Sequence, residues 1–126
     1  MTLFDTLKFD EKGLVPAIIQ NAEDGRVLTL CYMSREAVEK TLATGKVHVF
    51  RRSMGRVMLK GEVSGHVQDV TDVFLDCEGN SLLVRVKQQV AACHTGYFSC
   101  YYRRYDPNAD RFTVVEKPVF DPAQAY

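Results

Sequence analysis

Apolar residues in this chain gather in short runs rich in valine, isoleucine and leucine, separated by turns that carry glycine. That pattern predicts a protein built mostly of strands around one helix. Residues 1–13 are mixed in character and end at Gly13, a short lead-in. Residues 15–20 form a first strand, with Pro16 near its start, where a missing N–H is tolerated. Glu23-Asp24-Gly25-Arg26 follows, and Asp-Gly between apolar runs signals a hairpin. Residues 27–33 are apolar at both parities, which predicts a strand central in its sheet, with Cys31 as a small buried hydrophobe. Ser34 is a natural N-cap for a helix over 35–44. In that helix Ala37, Val38, Thr41 and Leu42 share a face, Glu36 and Lys40 pair at i,i+4, and Gly45 suits the left-handed end.

Beyond the helix, strands are expected over 47–50 and 57–59, on either side of the basic turn Arg51-Arg52-Ser53-Met54-Gly55-Arg56. Residues 60–66 interrupt the pattern with two glycines and four polar side chains, and read as a surface loop. Residues 67–75 and 81–88 resume it; in the second, Leu82, Val84 and Val86 oppose Leu83, Arg85 and Lys87 at period two. The aromatic run 97–104 and residues 112–116 are strand-like, and the tail 117–126 carries two prolines, which suits extended chain. There is no internal repeat, low-complexity segment or linker. One α+β domain over 1–126, compact and mostly β, is the expected architecture.

Charge narrows the function. Sixteen basic and sixteen acidic side chains cancel, so no general field favours nucleic acid or an anionic membrane as partner. No apolar run approaches the roughly 20 residues of a membrane helix. The start, Met1-Thr2-Leu3-Phe4-Asp5, has neither the basic nor the apolar region of an export signal, so a cytoplasmic location is expected. Four cysteines in that setting are expected to be reduced thiols, free, buried or metal-bound.

Three of them stand in one stretch, Asp76 to Cys100. Cys77, Cys93 and Cys100 lack the close pairs of a structural zinc finger. Three thiols would leave a fourth tetrahedral position for water, the layout of a catalytic zinc that supplies hydroxide at neutral pH. The plain alternative is three unrelated thiols on strands. His94 is placed as a general acid/base, as a fourth ligand that would close the site, or as a core histidine. Asp76, Glu78 and Asn80 alternate and could offer oxygens to Mg²⁺, or form a polar turn. Thr95-Gly96 and Ser64-Gly65 set hydroxyls beside glycines, where main-chain N–H groups can approach a phosphate. Arg51, Arg52 and Lys60 add positive charge for an anionic substrate, or form a solvated face.

A resemblance joins these fragments. Lys60-Gly61-Glu62, Ser64-Gly65-His66-Val67-Gln68, Asp76-Cys77 and Ala92-Cys93-His94-Thr95-Gly96, followed by Ser99-Cys100-Tyr101-Tyr102-Arg103, strongly resemble the phosphoribosyl-AMP cyclohydrolase family of histidine biosynthesis. Leu14-Val15-Pro16-Ala17-Ile18, Tyr32-Met33-Ser34-Arg35-Glu36-Ala37 and Glu116-Lys117-Pro118-Val119 agree in order. The resemblance implies an intertwined homodimer with sites shared across the interface. In it, zinc is held by Cys77 of one subunit and Cys93 and Cys100 of the other, and Mg²⁺ lies at Asp76, Glu78 and Asn80. The implied reaction opens the adenine ring of phosphoribosyl-AMP between N1 and C6, with His94 moving protons. Lys60, Glu62, Ser64, His66 and Thr95, with Arg51 and Arg52, become the substrate-positioning candidates.

The chain departs from the family pattern on the substrate side. Glu78 and Asn80 stand where the family has aspartates, which lowers the charge offered to Mg²⁺. Arg51-Arg52-Ser53-Met54 replaces a Ser-Arg-Ser-Arg run, Met58 a tryptophan, Val63 a threonine, and Tyr97-Phe98 a pair of arginines. Each lost charge-assisted contact is worth roughly 1.5–3 kcal/mol if nothing replaces it. A paralogue hydrolysing another, less phosphorylated N-heterocycle is therefore the alternative to the histidine-pathway substrate. A zinc-stabilised binding module without catalysis is the reading from another class.

Overall fold

The computed structural model describes residues 2–125. It is a single compact unit, mostly strand, with one main helix. The lead-in holds a one-turn helix α1 (Leu3–Thr6), whose cap is reciprocal: the Thr2 hydroxyl accepts the Asp5 N–H at 3.2 Å and the Asp5 carboxylate accepts the Thr2 N–H at 3.4 Å. Then follow β1 (Leu14–Asn21), β2 (Val27–Ser34), α2 (Arg35–Thr44), β3 (His48–Arg51), β4 (Arg56–Leu59), β5 (Gln68–Leu75), β6 (Leu82–Gln88), β7 (Arg103–Asp106) and β8 (Arg111–Val114). A 3₁₀ turn, Pro122–Gln124, lies in the tail. Among the described residues no helix is long and apolar enough to cross a membrane.

Four strands form the main sheet in the order β2-β1-β6-β5, with β1 and β6 parallel and the outer pairs antiparallel. Val15, Ala17 and Ile19 of β1, Met33 of β2 and Leu82, Val84 and Val86 of β6 point to one face and are buried. Val47, Val49 and the apolar side of α2 complete that core. Helix α2 starts as its sequence predicts, the Ser34 hydroxyl accepting the Ala37 N–H at 3.2 Å, and ends at Gly45 with φ +73°. Glu36 and Lys40 stand 3.4 Å apart. Ala37, Val38 and Thr41 are buried as expected, but Leu42 is 48% exposed, because the core reaches only the three-residue stripe. Pro16 fits within β1 because β6 first pairs at Ala17, so no ladder bond needs its missing N–H.

Two strand expectations are corrected. Residues 27–33 do form β2, but it is an edge strand rather than a central one. At one end of its outer side the Cys100 N–H donates to the Leu28 carbonyl at 2.7 Å. Residues 97–102 are irregular, with a bend over 98–100, and strand begins only at Arg103. The β7–β8 ribbon stands off the core, with only Asp106 partly buried among its eight residues.

The other face of the main sheet is open. Leu30, Ile18, Leu83 and Phe74 lie in register across all four strands, an apolar row running from one edge to the other. Ile18, Leu30 and Phe74 are 38%, 43% and 51% exposed.

Candidate active site

A cleft of about 860 Å³ opens between the edge strand β2 and the β3–β4 hairpin. It falls in the size range of small-molecule sites. The segment after β4 walls it through a tight turn in which the Gly65 N–H donates to the Gly61 carbonyl at 2.8 Å. Gly61 has φ +89°, and a Cβ there would lie 2.6 Å from the His66 main chain, so only glycine fits. Lys60 begins this wall. Its N–H donates to the Val47 carbonyl at 3.0 Å and its ammonium to the Ala92 carbonyl at 3.2 Å, which ties the loop to the approach of the cysteine segment.

The cysteine segment is a tight loop. Ala92 N–H donates to the Phe98 carbonyl at 2.9 Å and Cys93 N–H to the Tyr97 carbonyl at 3.3 Å, which leaves His94 and Thr95 at the tip. Gly96, at φ +104°, closes the loop where a Cβ would meet the Phe120 carbonyl at 2.9 Å. The tail crosses here, the Val119 N–H donating to the Gly96 carbonyl at 2.8 Å. The ion pair between Arg26 and Glu116 anchors the tail's beginning to the β1–β2 hairpin.

Cys93 is buried, with its sulfur 2.8 Å from the Thr95 hydroxyl. Burial pushes the Cys100 thiol above its ordinary range and the Cys93 sulfur adds to the rise, against the Thr29 hydroxyl and the Lys60 ammonium. Cys93 and Cys100 therefore form an interacting thiol pair in one chain. Cys31 also lines the cleft, but burial pushes its thiol up to about 12, with Lys60 opposing, and its sulfur contacts the Ala17 carbonyl at 3.7 Å. It stays a neutral wall residue at ordinary pH.

Cys77 is elsewhere, exposed in the β5–β6 turn. Among the described residues no three His, Cys, Asp or Glu side chains stand together as a metal centre. One chain thus brings two sulfur donors together and not the third. Asp76 serves its own turn, one oxygen accepting the N–H groups of Asn80 and Ser81 at 2.8 and 3.1 Å. The Asn80 amide reaches the Glu78 carboxylate at 3.5 Å.

Of the substrate candidates, Arg51, Arg52, Lys60, Glu62, Ser64 and the acid/base candidate His94 all line the cleft. His66 and Thr95 do not. The His66 ring meets Phe120 edge-on at 4.6 Å, and Thr95 is engaged with Cys93. Tyr97 and Phe98 also lie outside the cleft lining: Tyr97 stacks on Tyr102 at 3.9 Å, and Phe98 sits beneath the Arg26 guanidinium at 5.1 Å. Sequence reasoning missed Thr29 and Tyr32, both cleft residues of β2. Neither carries a local signal; they matter because β2 is an edge.

A nucleotide-sized cleft walled by cations, a histidine and part of a thiol pair, on a small mostly β scaffold, defines a small-molecule site rather than a macromolecular surface. Its family is explicit. Residues 29–102 match the model of the phosphoribosyl-AMP cyclohydrolase family, and the chain belongs to that family. It is 51% identical to the phosphoribosyl-AMP cyclohydrolase of Pelotomaculum thermopropionicum, over 97% of this chain and 94% of that protein. The proteins of the same name from Methanococcoides burtonii and Chlorobium limicola are 45% and 44% identical, each over 97% of this chain and over 97% and 88% of their own lengths.

Proposed function

We propose that this chain hydrolyses phosphoribosyl-AMP, opening the adenine ring between N1 and C6, with zinc held by Cys93 and Cys100 of one copy and Cys77 of a second. The observation that carries the proposal is the meeting of the Cys93–Cys100 pair with a cleft that presents Lys60, Glu62, Ser64 and His94, in a chain of this family. Soft sulfur donors suit zinc. Bound there, zinc supplies a water activated at neutral pH. Arg51, Arg52 and Lys60 take the phosphates, and Glu62 and Ser64 offer an acceptor and a hydroxyl to the sugars. His94 takes a proton from the attacking water and delivers one to N1. The water oxygen joins C6 as the exocyclic C6–N double bond opens and that nitrogen takes the other water proton; the C6–N1 bond then breaks with its electron pair going to N1, and C6 ends as a carboxamide.

The open sheet face supports the second copy. Burying the row Leu30–Ile18–Leu83–Phe74 removes apolar surface from water, and Cys77 follows Phe74 at that row's outer end. Leu30, at the other end, lines the cleft. A two-fold pairing on this face carries the Cys77 turn of one chain toward the cleft of the other. Mg²⁺ at the same turn would draw on Asp76, Glu78 and Asn80, with one charge fewer than three aspartates.

Purified protein given phosphoribosyl-AMP should open the ring, and Cys93→Ser should lose both zinc and turnover. Full activity in Cys93→Ser rules out the metal assignment. Mixing inactive Cys77→Ser and Cys93→Ser chains should regenerate activity; no recovery in verified heterodimers refutes the shared site. Met58 and Val63 line the cleft where the family has other residues, and they favour the second reading, a different N-heterocycle. A screen of cyclic amidines beside phosphoribosyl-AMP decides between the two.

A further inference from the structure

One contact at the cleft mouth lies outside the roles assigned above. Tyr32 stands opposite Pro16 on β2, the edge strand of the main sheet. Arg52 sits in the turn between β3 and β4. The guanidinium carbon of Arg52 lies 4.1 Å from the centre of the Tyr32 ring, well inside cation–π range, and both residues line the cleft.

The rest of the turn is held through main chain, with the N–H groups of Met54 and Gly55 donating to the Arg51 carbonyl at 3.0 and 2.8 Å. Among the described residues no carboxylate pairs with Arg52. The tyrosine ring is therefore the contact that orients this cation. A guanidinium lying over an aromatic face keeps its in-plane N–H donors, the ones that grip a phosphate bidentately.

We infer that Tyr32 is a positioning residue that holds Arg52 at the mouth of the cleft for a phosphate of the substrate. The inference rests on the proposed phosphorylated substrate. It separates Arg52 from Arg51, its neighbour in sequence, which also lines the cleft but among the described residues has no such ring beneath it.

Steady-state kinetics on Tyr32→Phe, Tyr32→Leu, Arg52→Ala and the Tyr32→Leu/Arg52→Ala double variant test it. Tyr32→Leu should raise KM about 3- to 10-fold with kcat and zinc content held. Tyr32→Phe should restore KM, and in the Arg52→Ala background Tyr32→Leu should add nothing. A wild-type KM in Tyr32→Leu, or an equal loss with and without Arg52, overturns the inference; a fall in kcat and zinc content marks structural damage instead of positioning and overturns it as well. If the wild-type protein does not turn over phosphoribosyl-AMP, the proposed function fails on its own account. Calorimetric titration of the same four proteins with AMP then decides the role of Tyr32. The same pattern in Kd supports it, and an unchanged Kd in Tyr32→Leu, or no AMP binding by the wild-type protein, overturns it.

Discussion

Replacing Gly61 and Gly65 separately with alanine isolates what the cleft wall demands of its backbone. Both glycines have positive φ, +89° and +79°, so each alanine meets a left-handed penalty of roughly 1–2 kcal/mol. A gain of roughly 0.4–1 kcal/mol from stiffening the unfolded chain offsets part of it. At Gly65 nothing lies within 4 Å of the new methyl, so the net loss should be about 0–1.6 kcal/mol. At Gly61 the methyl would stand 2.6 Å from the His66 carbonyl carbon and oxygen and 2.8 Å from the Val67 nitrogen, main-chain atoms that no rotamer change can move aside. Overpacking of that kind costs about 1–3 kcal/mol more. For a chain of this size 1 kcal/mol corresponds to roughly 3–5 °C, so Gly61→Ala should melt about 3–15 °C below Gly65→Ala by circular dichroism. The same shift moves Lys60 and Glu62, so KM should rise in Gly61→Ala and stay near wild type in Gly65→Ala. Equal melting temperatures for the two variants would refute the reasoning.

Thr41 is buried and accepts the His48 N–H at 2.9 Å while donating to the Ala37 carbonyl at 2.8 Å. Thr41→Val should cost about 1–3 kcal/mol in urea unfolding and Thr41→Ser far less, because serine keeps the acceptor; equal losses would point to packing alone. Thr95→Val removes the hydroxyl beside the Cys93 sulfur and should weaken zinc binding about 10- to 100-fold in chelator competition, with Thr95→Ser close to wild type. Unchanged affinity would make that contact incidental. Asp24, Asp69 and Asp76 all titrate below their ordinary value. The Arg26 N–H holds Asp24 down, the Lys46 ammonium holds Asp69 down, and for Asp76 the Asn80 and Ser81 N–H groups outweigh desolvation. Such carboxylates stabilise the fold above their unfolded pKa and lose that contribution as pH falls through the lower folded one, so melting temperature should drop from about pH 4 downward. Asp69→Asn should flatten that drop, and an identical slope would contradict the assignment.

Much of the scaffold was legible because local chemistry decides it. Ser34 and Gly45 bracket α2, Asp24-Gly25 turns the first hairpin, and the alternation in β6 sets its buried face. The position of β2 was not. Apolar residues at both parities report that both faces of a strand are suited to cover; they do not count its hydrogen-bonded neighbours. Leu30 is apolar on the open face of the sheet, 43% exposed there, so it imitated a central strand. Tyr97 to Tyr102 imitated a strand through aromatic content, yet the Tyr97 and Tyr102 rings stack on each other and the backbone between them bends. The cysteines could be marked as candidates from sequence, but spacing could not tell that Cys93 and Cys100 interact while Cys77 stands apart, because that depends on where β5 and β6 turn.

The tail crossing the cysteine loop sets an order of events during synthesis. Glu116, Val119 and Phe120 reach back to Arg26, Gly96 and His66, so the loop bearing Cys93 is braced by residues made after it. The main sheet is complete in the chain once β6 has emerged, whereas the thiol loop gains its last supports only when residues beyond 115 are available. A ribosome stalled before that point would carry a folded sheet with an unbraced loop. Bracing of the thiol loop is thus delayed until residues 116–120 have been made.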